Sequence, residues 1–345
     1  MLLVLGICAS VWGLGRVLKL PNQVIWLILG LIYLAVISVH LVLPPDNGLR
    51  VATGGSAALW LMLGGAGVLV LGYARGLKWL KSRAQKPEPV VQQQGPFSET
   101  ELNRYARHIV LREVGGPGQK RLKDARVLVV GAGGLGSPAL LYLAAAGVGT
   151  IGVIDDDTVE NSNLQRQVIH KDQSIGMPKV HSAAEEMRAQ NPFVTVLPYA
   201  KRLTAELASE LIADFDIVLD GTDNFDTRYL VNRICFDLGK PLISGALSQW
   251  EGQLTVFDPK ENTPCYQCVF PEAPAPGLAP NCAEAGVIGP LPGVIGAMMA
   301  GEAVKVITGA GAALRGEMLI YDALYGESRK ITLKRREDCP VCGDK

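Results

Sequence analysis

The 345-residue chain has no net charge, its 33 Lys and Arg being matched by 33 Asp and Glu. Without a basic excess there is no global field to attract nucleic acid, so no nucleic-acid partner is expected and any electrostatic function must be local. Charge is also absent from two long stretches. Val24 to Leu43 and Val51 to Ala74 contain no Asp, Glu, Lys or Arg, and each is about as long as a bilayer-spanning helix requires. Both are expected to be transmembrane helices, since helices of soluble domains usually carry a polar face. Met1 to Gly15 is apolar but shorter, and it lacks the basic flank of a cleavable signal peptide, so a third span is expected there. An even cysteine count is missing too. Of Cys8, Cys235, Cys265, Cys268, Cys282, Cys339 and Cys342, four form two Cys-x-x-Cys pairs. Odd number and paired spacing favour metal ligation in a reducing compartment over a disulfide framework. No internal repeat is present.

Basic residues set the expected orientation. Arg16 and Lys19 precede the second apolar run, and Arg75, Lys78, Lys81, Arg83 and Lys86 follow the third, whereas the loop Pro44 to Arg50 offers only Asp46 and Arg50. The positive-inside rule places both basic flanks, and everything after residue 75, in the cytoplasm. The expected organisation is a transmembrane region over 1–80, a linker over 81–97 with Pro87, Pro89 and the run Gln92 to Gln94, and a soluble domain over 98–345. The expected location is the inner membrane, multi-pass, with the soluble domain in the cytoplasm.

From Ser98 onward strands and helices alternate. Ser98 and Glu101 have capping-box spacing. Strands are predicted at Arg126 to Val130, Thr150 to Ile154, Phe193 to Leu197 and Ile217 to Asp220. Helices are predicted at Pro138 to Ala146, Val180 to Gln190, Ala205 to Ala213, Thr227 to Leu238 and Val294 to Thr308. This is the pattern of an α/β fold with a doubly wound, mostly parallel, Rossmann-like sheet. Gly252 to Phe257 and two late strands add a C-terminal antiparallel extension. The first strand runs into Gly131-Ala132-Gly133-Gly134-Leu135-Gly136, so Gly131, Gly133, Gly134 and Gly136 are positioned to bring backbone N–H groups and a helix N-terminus to phosphates. Asp155 ends the second strand, where a ribose-binding acid belongs. These features alone fit NAD as well as ATP.

The next stretch separates the two. Asp155 to Gln167 is densely polar, Gly176-Met177-Pro178-Lys179 follows, and Arg166 and Lys179 supply the charge that a triphosphate and a departing pyrophosphate need. Asp223, in Thr222-Asp223-Asn224, is a candidate Mg2+ ligand. Hydride transfer has no use for such a cationic set. Separately, Cys265, Cys268, Cys339 and Cys342 have the spacing of a closed, structural Zn2+ site that ties the C-terminal tail to an internal loop.

Residues from about 98 to 345 resemble the bacterial molybdopterin-synthase and thiamine-thiazole adenylyltransferases of the ubiquitin-activating superfamily. The resemblance rests on Arg104 to Arg107, Gly131 to Gly136, Asp155 to Gln167, Lys179, Thr222 to Asn224, Asn281 to Gly286 and the two cysteine knuckles. It implies that Asp155 binds the ATP ribose, that Asn163, Arg166 and Lys179 contact the phosphates, and that Asp223 holds Mg2+. It also implies that Arg107 reaches the site of a second subunit, hence a homodimer, and that Cys282 sits where some relatives form a covalent link to their carrier. The implied reaction is adenylylation of the C-terminal Gly-Gly carboxylate of a small ubiquitin-fold sulfur carrier, for molybdopterin synthesis. The same reaction on a thiamine or tRNA-thiolation carrier is an alternative, and a tRNA-modifying dehydratase of the superfamily is another. Those relatives have no counterpart to the first 97 residues, and Gly221 stands where they often have Cys.

Overall fold

The structure, a computed structural model, describes residues 2–18, 20–54, 56–83, 95–274 and 285–343. The chain divides into two compact units, Met1–Gln92 and Gln93–Lys345.

The first unit is helical: α1 (Leu2–Val17), α2 (Asn22–Val42), α3 (Gly48–Thr53) and α4 (Ala57–Arg83). Its apolar surface faces outward. Leu27, Leu31, Leu34, Leu69 and Val70 are exposed, while Ile25, His40 and a small cluster around Val4, Val36 and Trp60 are buried. Tyr33 Oη donates to the Trp60 carbonyl at 2.7 Å across this cluster. Two stretches, Asn22–Val42 and Ala57–Trp79, are long and apolar enough to cross a membrane. With 16 residues α1 extends about 24 Å, short of the ~30 Å hydrocarbon core. The third apolar run is not one helix from Val51. Gly54 adopts φ 106°, a left-handed backbone that ends α3, and α4 begins at Ala57 and continues past the basic residues to Arg83.

The second unit is built on one eight-stranded sheet of order β3-β2-β1-β4-β5-β6-β7-β8. Ahead of it, α5 (Glu99–Ile109) opens with the expected capping box between Ser98 and Glu101, and α6 (Gly115–Asp124) leads into the sheet. Strands β1 (Arg126–Val130), β2 (Thr150–Ile154), β3 (Thr195–Tyr199), β4 (Ile217–Asp220) and β5 (Leu242–Leu247) run parallel. Then β6 (Glu251–Phe257), β7 (Glu317–Asp322) and β8 (Glu327–Thr332) continue antiparallel. The parallel crossovers are α7 (Gly136–Ala146), α8 (Lys179–Gln190), α9 (Ala205–Ala213) and α10 (Phe225–Asp237). Because parallel strands are covered on both faces, β1 and β4 are almost wholly buried. Two cores result. One packs α7, α8 and a long late helix on one face, and the other packs α9 and α10 on the opposite face.

That late helix, α12 (Pro290–Thr308), follows the short α11 (Tyr266–Val269) and is itself long and apolar enough to cross a membrane. Its Ile295, Met299 and Ala303 are instead fully buried in the first core. Several predicted boundaries shift; α7 and α10 each begin two residues earlier than predicted. The third strand starts at Thr195 because Asn191 holds a turn, its Oδ1 accepting from Phe193 N–H, and α12 begins four residues early with Pro290 in its first turn, where a missing N–H costs nothing.

Candidate nucleotide site and cysteine centre

Strand order reverses between β1 and β4, and in such sheets ligands enter the crevice at the carboxyl ends of the strands flanking that point. A cleft of about 430 Å³ opens there, lined by Gly131, Gly133, Gly134, Asp155, Arg166, Lys179 and Asp223. One cavity therefore gathers most of the expected site from four separate stretches of sequence.

Each glycine has a distinct reason. Gly131 turns the chain out of β1 at φ 95°. At Gly136 an added Cβ would lie 1.9 Å from the Gly131 carbonyl oxygen, so only glycine lets the loop close onto the start of α7. At Gly133 a Cβ would meet nothing nearer than Gln167 Nε2 at 3.7 Å, leaving that face open to the cleft. Among the described residues, the N–H groups of Gly133 and Gly134 donate to no protein acceptor. Two such amides beside a helix N-terminus make an anion cradle.

Asp155 accepts from Ala132 N–H at 2.7 Å and from Asp157 N–H at 2.9 Å. Burial raises its pKa, against those two N–H groups and the nearby Lys179, so further donors such as ribose hydroxyls would favour its charged form. Lys179, the first residue of α8, is buried along its stem and pairs with the exposed Asp157 at 2.6 Å. Arg166 donates to the Ser162 carbonyl at 3.1 Å. Asp223 is exposed at the rim.

Of the residues expected at this chain's own nucleotide site, Gly136 and Asn163 are described but do not line the cleft. Asn163 is buried and uses its Oδ1 on Glu160 N–H at 3.2 Å. Arg107 stands exposed on α5, away from the cleft lining of its own chain. Cys282 lies outside the described residues.

The structure also adds residues that the sequence pattern did not single out. Lys201 and Arg202, just beyond β3, extend the cationic lining. Arg228 on α10 is buried and donates to the carbonyls of Thr222 and Gly245 and to Ser244 Oγ, with Asp220 3.5 Å away. It ties β4 to β5 directly beneath the Asp223 turn. Its place, four residues after Asn224, is the one local hint the sequence carries.

Far from the cleft in sequence terms, Cys265, Cys268, Cys339 and Cys342 converge, all buried, with sulfurs within 4.8 Å of one another. Cys265 and Cys339 sulfurs are 3.6 Å apart, and Cys268 and Cys342 sulfurs 3.2 Å. A disulfide needs about 2.05 Å, whereas four thiolates at ~2.3 Å from a tetrahedral Zn2+ stand roughly 3.8 Å apart. The donor set therefore fits zinc. Burial pushes the Cys268 thiol up to about 11, which a bound dication would reverse. Arg336 N–H donates to Cys268 Sγ at 3.4 Å, the outer support that thiolate ligands require.

The cleft's cationic wall of Arg166, Lys179, Lys201 and Arg202 suits a phosphate chain. The protein is thus an enzyme of the adenylyltransferase class. Its relatives agree: the chain is 52% identical over 252 residues to the sulfur carrier protein adenylyltransferase of Thermus thermophilus, covering 72% of this chain and 93% of that one. It is 51% identical to the SAMP-activating enzyme E1 of Haloferax volcanii, covering 71% and 90%. The chain belongs to the ThiF family, whose model matches residues 105–341. Among solved structures, E. coli MccB with ATP shares the fold at TM-score 0.59 and 23% identity, over 66% of this chain and 70% of that one.

Proposed function

We propose that the protein uses ATP and Mg2+ to adenylylate the C-terminal glycine carboxylate of a small ubiquitin-fold sulfur carrier ending in Gly-Gly, for molybdopterin synthesis. The observation that carries this reading is the meeting of Arg166, Lys179, Asp155 and two unpaired loop amides in one cleft. The names of the two bacterial and archaeal relatives supply the substrate class. The carrier carboxylate, already ionised at neutral pH, attacks the α-phosphorus, the bond from that phosphorus to the bridging oxygen breaks, and pyrophosphate departs. Lys179 and Arg166 face the charge that develops on the leaving group. Asp155 orients the ribose. Asp223 at the rim would hold Mg2+, which when bound neutralises phosphate charge.

Arg107 is assigned to the neighbouring subunit's phosphates in a homodimer. Its exposure, together with that of Val110 and Leu111 just after α5, supports this assignment. The N-terminal unit is assigned to the membrane, with the catalytic domain on the cytoplasmic side, in keeping with its outward apolar surface and the basic residues flanking its spans. The domain limits adopted are 1–80, 81–97 and 98–345.

The test is ATP–pyrophosphate exchange with purified Gly-Gly-tailed carriers from the molybdopterin, thiamine and tRNA-thiolation routes. Exchange is expected with the molybdopterin carrier, and exchange with another alone would move the protein to that route. No exchange with any carrier would end the reading. Mixing Arg107→Ala with Lys179→Ala chains should restore partial exchange if the site is shared, and absence of rescue would refute the assignment of Arg107.

A further inference from the structure

Beneath the glycine-rich loop lies a histidine that none of the steps above uses. His170 is 6% exposed and follows the polar stretch that carries Arg166 and Gln167. Its Nε2 is 2.9 Å from the Ala132 carbonyl oxygen, and its Nδ1 is 2.9 Å from Ser182 Oγ. A carbonyl can only accept, so Nε2 carries a proton. Burial, with Lys179 close by, lowers the ring's pKa and keeps it neutral, which leaves Nδ1 to accept from the Ser182 hydroxyl. Ser182, on α8 and 1% exposed, thereby selects the tautomer.

The Ala132–Gly133 peptide is planar, with C=O and N–H pointing in opposite directions. A bond that draws the Ala132 carbonyl down onto His170 therefore turns the Gly133 N–H up, toward the cleft that Gly133 lines. The preceding peptide is fixed as well, because Ala132 N–H donates to Asp155. We infer that His170 is a positioning residue for nucleotide binding: acting through the Ala132 carbonyl, it aims the Gly133 N–H at an anionic phosphate oxygen. The inference rests on the reading that this cleft takes ATP, and it adds the device that orders the phosphate cradle.

The test uses the full chain in detergent with MgATP alone, measured by calorimetry, so that no carrier is needed. His170→Leu fills the space without offering a donor and should weaken MgATP binding about tenfold. His170→Gln keeps an N–H near the Nε2 position and should bind within about threefold of the unsubstituted chain. In exchange assays the loss in the Leu variant should fall on the KM for ATP and spare the KM for the carrier, a split that general loosening of the fold would not give. A Leu variant that binds as tightly as the unsubstituted chain, or a Gln variant as weak as the Leu variant, overturns the inference. Should the Leu variant fail to fold, Ser182→Ala takes its place, with binding about threefold weaker expected and unchanged binding counting against. An unsubstituted chain that binds no ATP sinks the nucleotide reading itself, a result separate from any ranking among variants.

Discussion

Asp220 and Asp223 sit on one turn yet meet opposite environments. Asp220 is 1% exposed, accepts from Thr222 N–H and Oγ1, and faces Arg228, whereas Asp223 stands at the cleft rim. Asp223→Ala should therefore cut magnesium-dependent exchange by roughly 100-fold with no change in melting temperature. Asp220→Ala should instead cost about 3 kcal/mol of stability, since it strands a buried guanidinium, and chemical denaturation would separate the two outcomes. His170 sets a pH dependence. Its folded pKa is lowered, by burial first, so it contributes stability above the unfolded value near 6.5 that is lost as pH falls below it. His170→Gln should flatten that acid limb in denaturation curves taken between about pH 7 and pH 5. That Asp155, Arg166 and Lys179 line one cleft was legible in the sequence, because each stands in a motif stretch that follows a strand or opens a helix. His170 and Arg228 were not, because their bonds reach residues 38 and 17 positions away, and no local spacing encodes such partners.

At the level of elements, β1, β2 and β4 lie where apolar runs predict them, since strands buried on both faces leave an uninterrupted hydrophobic signature. The edge strand β3 is only partly buried and contains Pro198, and its predicted bounds are off by two residues. Strand β5 went unmarked because Ser244 and Gly245 break its apolar run. At Gly245 a Cβ would lie 2.5 Å from Met299 Sδ of α12, so a larger residue there would require that side chain to shift. The convergence of the four cysteines, and with it the tie between the C-terminal tail and the loop carrying Cys265 and Cys268, was readable from spacing alone. Replacing Cys339 and Cys342 together by Ser should remove about one zinc per chain and lower the melting temperature while sparing the cleft. Plasma emission analysis of the unsubstituted protein that finds no zinc would dispose of the assignment.

For the whole molecule, two compact units joined near residue 92 suggest that the first can be removed without opening the core of the second. A chain lacking residues 1–92 should be soluble without detergent and retain exchange within about threefold, measured beside the full chain. Inactivity of a well-folded truncated chain would mean that the N-terminal unit takes part in the chemistry. Composition offers a false echo of the N-terminal candidate spans in α12. That helix has the length and apolarity of a span, and what sets it apart is Glu302, which pairs with Lys305 and accepts from Leu314 N–H at 2.9 Å. The pair bears on how the chain is made. On the proposed topology, a ribosome that has delivered α2 and α4 to the insertion machinery must later release α12 on the cytoplasmic side, and the charges of Glu302 and Lys305 weigh against entry of that helix into lipid. In that topology they would act as a sorting mark written into a core helix, keeping the folding domain from being threaded into the membrane during translation.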